Sequence, residues 1–357
     1  MEQTKRIEYI DALRGFTMIL VVYHHIEAFS YHINPSFICQ ILMTFRMPLF
    51  FFISGYIAYK ANQNWDISSL LSNISKKVKV QLIPTLFFGL IYTYLVSETT
   101  WVEFLKAPMK LGYWFTIVLL YFFIIYYTTS FLFQKFSHKV NKNSGGGNFA
   151  ITLCVLSIIL FYTKLIFRYN PYLHGAYDIL SLYYVFTYFP FFVFGVIAKI
   201  YQEQFNKLFE HKLYSTLIII LFAGIFLFRF YFTKTNILPY SIISIIDPPL
   251  MILNGFLGIT IVYNFFRKYQ DSFSKETKLG RMLQYIGKRT LDIYLLHYFL
   301  LPDLSNIGEY FGSSSTVVGL FFGIIIALMV IAVCLVISST IRLSPILGHY
   351  LFGAKKQ

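Results

Sequence analysis

Phe37-Ile38-Cys39-Gln40-Ile41-Leu42-Met43-Thr44-Phe45-Arg46-Met47-Pro48-Leu49-Phe50-Phe51-Phe52-Ile53-Ser54-Gly55-Tyr56-Ile57-Ala58-Tyr59 carries a single charge, Arg46, in 23 residues. As an α-helix it would be about 34 Å long, and a bilayer's hydrocarbon core is about 30 Å thick. The stretch reads as a membrane-spanning helix, because a span in lipid must satisfy its own backbone polar groups. Nine more apolar runs lie on either side. The ten expected spans are 8–30, 37–59, 79–96, 113–133, 149–168, 179–199, 213–232, 241–266, 283–303 and 317–341. They are continuously apolar and lack the alternation of a membrane β-barrel. The fold class is therefore all-α: a polytopic integral membrane bundle of about ten transmembrane helices, expected to form one transmembrane domain over 1–357 with no separate soluble domain.

Composition agrees. Of 357 residues, 57% are hydrophobic, 20% aromatic and 13% charged, against about 25% charged in soluble domains. A soluble chain could not hide so much Phe, Ile, Leu and Tyr without large exposed patches. Cys39, Cys154 and Cys334 sit far apart in apolar runs and read as packing residues. Neither the cysteines nor the eight scattered His suggest a metal set. The N-terminal run carries Arg14, His24, His25 and Glu27, which suits no cleavable signal. Asn143–Asn148, with three glycines, reads as a flexible linker.

The net charge of +14 would suggest nucleic acid in a soluble protein. Here the basic residues follow alternate spans, so no nucleic-acid partner is expected. Lys60, Lys76, Lys77 and Lys79 follow the second span, and Lys135, Lys139 and Lys142 the fourth. Lys199, Lys207 and Lys212 follow the sixth, and Arg267, Lys268, Lys275, Lys278, Arg281, Lys288 and Arg289 cluster after the eighth. The intervening segments hold few. By the positive-inside rule both termini are expected on the cytoplasmic side of a cell (inner) membrane.

Ionisable groups inside a span are costly and point to function. The first span holds Asp11, Arg14, His24, His25 and Glu27. Arg14 and His25 are eleven residues apart, which leaves them about 20° apart around the helix and about 16 Å along it. A fixed cation below an imidazole suits an anionic donor entering from the cytoplasm and a proton transfer near the far side. The same residues also fit an arginine snorkelling to headgroups, an interfacial histidine and an Asp11–Arg14 pair. Glu27 reads as solvated at the outer rim. His24 points about 100° away from His25. Arg46 is expected within a few ångströms of the His25 depth, where a guanidinium can hold a carbonyl oxygen, a carboxylate or a phosphate. Lys288 and Arg289 read either as ordinary loop charge or as phosphate contacts. His297 falls near the His25 level. Trp114 suits an aromatic belt or substrate stacking, and Arg229 and Asp247 either pair or line a cleft.

At these residues the sequence resembles the membrane-bound acyltransferases of acyltransferase family 3. The resemblance is carried by Asp11-Ala12-Leu13-Arg14-Gly15 with His25 eleven on from Arg14, by Arg46 to Gly55, by Tyr113-Trp114-Phe115, by Phe191 to Gly195, and by Gly287 to His297. It implies an O-acyltransferase moving an acyl group, usually acetyl from acetyl-CoA, to a hydroxyl of an extracytoplasmic glycan or lipid-linked sugar, as in polysaccharide O-acetylation. Acyl-CoA would be a donor substrate, with no permanently bound cofactor, and membrane lipid would surround the bundle. Arg14 and His25 match the family's first-helix Arg and His, and Arg46 its second-helix basic residue. On this reading His25 and Arg46 are catalytic, Arg14, Lys288 and Arg289 bind the donor, and Asp11, His24, Trp114 and His297 are further candidates. A transporter of a small anionic or sugar substrate is the alternative.

Overall fold

The computed structural model describes residues 7–61, 63–97, 99–137, 145–170, 172–235, 239–313 and 316–353. Among these residues there is no β-strand. Among the described residues, eight helices are long and apolar enough to cross a membrane. They match the sequence spans other than the first and the ninth. The helices used below are α1 (Glu8–His25), α2 (Phe37–Ala58), α3 (Ile67–Leu95, with a π-helical turn at Val78–Leu82), α4 (Trp114–Ser137), α5 (Gly145–Tyr169) and α6 (Leu182–Ile200). They continue with α7 (Lys212–Thr235), α8 (Tyr240–Lys268), α9 (Lys278–Lys288), α10 (Thr290–Leu296), α11 (Thr316–Ile341) and α12 (Pro345–Phe352).

Two sequence readings change, while the first span is helical over 8–30 as expected. The first span is an 18-residue helix, α1, that widens into a π-helical turn at Ile26–Ser30. The ninth is not one rod. Arg289 leaves helical geometry at φ −113°, ψ 17°, which separates α9 from the short α10, and the chain then tightens into a 3-10 turn at His297–Leu300. Gly145, Gly146 and Gly147 open α5 instead of lying in a linker; the rest of that stretch, up to Ser144, falls outside the described residues.

The chain divides into two compact units. The first comprises the described residues of Met1–Ile53, Tyr201–Thr290 and Leu301–Ala332. Its core joint is α1 on α9. A Cβ on Gly15 would lie 2.0 Å from the Leu283 carbonyl oxygen, and one on Gly287 would lie 1.9 Å from that of Asp11. Only glycine at both positions lets the two backbones touch, the small-residue packing by which membrane helices associate. Around this joint, Tyr9 pairs with Tyr263 of α8 through hydroxyls 3.3 Å apart, and Phe16 packs on Phe266. Phe45 and Phe52 of α2 meet α8 at Gly258 and Tyr263. Arg229 of α7 donates two hydrogen bonds to Asp247 of α8, at 2.7 and 3.2 Å. Of the two readings of that pair, the structural one is what forms.

The second unit comprises the described residues of Ser54–Ile200, Leu291–Leu300 and Val333–Gln357. Asp292, 1% exposed, accepts a bidentate pair from Arg342 at 2.8 and 2.9 Å and a third bond from Ser338 at 2.8 Å. Tyr113 donates to the Leu295 carbonyl at 3.0 Å, and Tyr294 to that of Gly112 at 2.9 Å. Gly112 has φ +101°, and a Cβ there would strike the Tyr298 ring at 2.3 Å. In the segment before α4, Lys110 is buried, and its Nζ donates at 2.8 Å to the carbonyls of Leu105, Ala107 and Ile179. Burial pushes this ammonium down to about 8.

Candidate active site

α1 runs unbroken from Arg14 to His25, so the shared face expected from their spacing is kept, with about 16 Å between their levels. At the Arg14 end, the close approach of Gly15 and Gly287 brings the end of α9 alongside. Arg14 donates to the Thr290 hydroxyl at 3.0 Å. Lys288 is exposed, and Arg289 stacks 5.8 Å from the Tyr285 ring centre. Three cations from two distant stretches of sequence thus gather at one end of one helix, with buried Asp11 beside them. Such a set of cations suits phosphate.

The other end is a polar network built by the π-helical turn and the start of α2. Glu27 is 2% exposed, which overturns its reading as a solvated rim residue. It accepts from the Tyr23 hydroxyl, from the Ser36 backbone N–H at 2.9 Å and from the Ser36 hydroxyl at 2.8 Å. Burial of a carboxyl group is tolerable because these three donors satisfy it. The widened turn matters here, since it swings Glu27 towards α2; π-bulges recur at functional sites.

His24 Nδ1 lies 3.3 Å from Cys39 Sγ, within hydrogen-bonding reach of the thiol. His25 packs between His24 and Phe29, with ring centres 5.5 Å away on each side. Arg46 is 8% exposed. It lies seven residues beyond Cys39 on α2, about 10 Å further along the helix, so its backbone is not at the histidine level as the sequence count suggested. Its positive charge is felt at both His24 and Cys39. The site therefore holds an imidazole pair, a thiol and a guanidinium at one end, and a cationic cluster at the other.

The model of the acyltransferase domain of acyltransferase family 3 matches residues 7–339, nearly the whole chain. The chain belongs to acyltransferase family 3. No curated protein and no solved structure matches it.

This family 3 acyltransferase is an enzyme built on a membrane helix bundle, and its two-ended α1 can be set against the residues expected from sequence. Asp11, Arg14, His24, His25, Arg46, Lys288 and Arg289 all fall in the first unit. Trp114 and His297 fall in the second. There Trp114 is 8% exposed and stacked on Tyr184 with ring centres 4.3 Å apart, which is not the setting of an interfacial belt. His297 is fully buried, and its Nδ1–H donates to the Ile293 carbonyl at 3.0 Å. Among the described residues no group of three His, Cys, Asp or Glu gathers to hold a metal.

Sequence reading did not bring Ser36 and Cys39 to the end of α1, and it placed Glu27 at the rim instead of in this buried network. The available signal was a carboxylate two residues past His25, inside an apolar run. Buried Lys164 of α5, in the second unit, was not singled out either; its ammonium sits 4.5 Å above the Phe161 ring centre. A lysine in an apolar run whose only other charge is Arg168 was the cue.

Proposed function

We propose that the protein is an O-acyltransferase that takes an acyl group, acetyl from acetyl-CoA foremost, from the cytoplasmic side and places it on a hydroxyl of an extracytoplasmic glycan or lipid-linked sugar. The observation that carries this reading is the two-ended α1, with cations at Arg14 and imidazoles at His24 and His25 on one continuous helix of a family 3 acyltransferase. The loop charges support placing the Arg14 end in the cytoplasm of a cell (inner) membrane. CoA phosphates would meet Arg14, Lys288 and Arg289, and the long pantetheine arm would carry the thioester along α1.

His25 would take the proton of the acceptor hydroxyl as its oxygen attacks the thioester carbonyl. Arg46 would stabilise the oxyanion. The C–O bond forms, the C–S bond breaks, and the proton returns to the departing CoA thiolate. A neutral imidazole suits this role near pH 7.

The test is purified protein in liposomes with radiolabelled acetyl-CoA and a surface-glycan extract. Label should move to the glycan and free CoA should appear in equal amount. Uptake of solute without acyl transfer would overturn the reading in favour of a transporter.

A further inference from the structure

Asn254 lies midway along α8, in a stretch otherwise apolar from Leu250 to Ile259. It is 0% exposed, and neither its Nδ2 nor its Oδ1 has a hydrogen-bond partner among the described residues. A buried amide with no partner is costly in protein and more so in lipid, where water cannot supply the missing bonds. Native proteins keep such groups rarely, and each one asks for a cause.

Its position supplies one. Gly258, one turn further on and on the same face, is pressed against Phe45, whose Cβ would be 2.7 Å from a Cβ on the glycine. Further along, Phe52 packs on Tyr263 with ring centres 5.4 Å apart. The two contacts progress in the same direction, so α2 and α8 run parallel. Asn254 therefore stands about 6 Å before the Phe45 contact, level with the part of α2 between Cys39 and Arg46. Cys39 marks the level of His24. The unsatisfied amide is thus at the depth between the imidazole pair and the Arg46 backbone, on the helix face that carries the α2 contact.

We propose that Asn254 is a hydrogen-bonding residue of the acyl-transfer site, donating from Nδ2 to the thioester carbonyl oxygen as negative charge builds on it. Arg46 would supply the charge and Asn254 a neutral, directed donor. The donor is bought with stability: the amide stays unpaired until substrate arrives, and so loses nothing to reorganisation when the reaction occurs. This inference rests on the acyl-transfer reading above.

The experiment uses the full-length protein in one detergent–lipid preparation, as wild type, Asn254→Leu and Asn254→Ala. Acetyl transfer and thermal unfolding without donor are measured side by side. Leu keeps the volume and removes both polar groups. The expected result is turnover about 10²–10³-fold lower, as for loss of one oxyanion donor, with the acetyl-CoA KM changed by no more than a few-fold. Asn254→Leu should also melt at or above the wild-type temperature. Turnover within twofold of wild type in the Leu variant would overturn the proposal. So would a lower melting temperature in both variants, since the amide would then be satisfied inside the protein. A wild type that transfers no acyl group would instead sink the acyl-transfer reading, and the melting comparison would still decide whether Asn254 is held for a ligand.

Discussion

At the scale of single residues, the two neighbouring histidines are chemically alike and differently placed. His24 faces Cys39 and feels Arg46; His25 shares the Arg14 face and packs on Phe29. His25→Gln keeps volume and hydrogen bonding but cannot take a proton. Turnover is expected to fall by about 10²–10⁴, with donor binding retained. If more than about a tenth of the wild-type rate survives, His25 is not the base and His24 becomes the candidate. Arg14 makes a separate prediction. Arg14→Ala should weaken binding of acetyl-CoA by about tenfold to a hundredfold, the worth of a charge-assisted contact of roughly 1.5–3 kcal/mol. A truncated thioester without phosphates should be almost indifferent to the change. Equal loss for both donors, measured by competition binding, would make Arg14 a packing residue held by Thr290.

At the scale of helices, the α1–α9 joint and the segment before α4 carry the predictions. Gly15→Ala puts a methyl group where the Leu283 carbonyl already stands. The helices must part, at a cost of about 1–3 kcal/mol for overpacking, and the Arg14–Thr290 bond lengthens with them. The expected outcome is a lower melting temperature together with a raised KM for the donor. A normal KM would separate the joint from the donor site. Lys110 makes the pH prediction. Its folded value of about 8 lies below its ordinary 10.5, so between those values the unfolded chain binds the more protons. Stability should therefore rise with pH across that window. Lys110→Met should flatten the rise while lowering stability at pH 7, because three carbonyls lose their donor. Thermal melts of both proteins from pH 7 to about 10 would show this, and parallel profiles would contradict it.

At the scale of the whole molecule, orientation decides which substrate meets which end of α1. Cys154 is half-buried and Cys39 and Cys334 are buried, so all three are replaced before labelling. A cysteine at exposed Asp303 should react with an impermeant maleimide added from outside the cell. One at exposed Glu210 should react only after the membrane is opened. The opposite pattern would reverse the bundle, place the cations of Arg14, Lys288 and Arg289 outside, and remove the route for a cytoplasmic CoA.

What the chain's order of residues determined unaided was everything carried by local repetition. A run such as Phe37–Tyr59 can only be a helix in lipid, because its backbone has no other partner. Arg14 and His25 share a face because eleven residues nearly complete three turns, whatever surrounds them. Relations between helices were of another kind. That Gly287 would seat Lys288 and Arg289 beside Arg14 depended on two glycines lying opposite each other across a contact far apart in sequence. Arg46 seemed level with His25 when residues were counted from the end of a span. The contact of His24 with Cys39 set the true offset between α1 and α2, and the π-helical turn, which no pattern of apolar residues announces, folded Glu27 inward. Asn254 was visible as one polar residue in an apolar run, but its depth and its unpaired amide are facts of packing. Covalent spacing fixes angles and rises along one helix; which helices touch, and at what level, is settled by side-chain shape across the bundle, and only the tertiary structure holds that information.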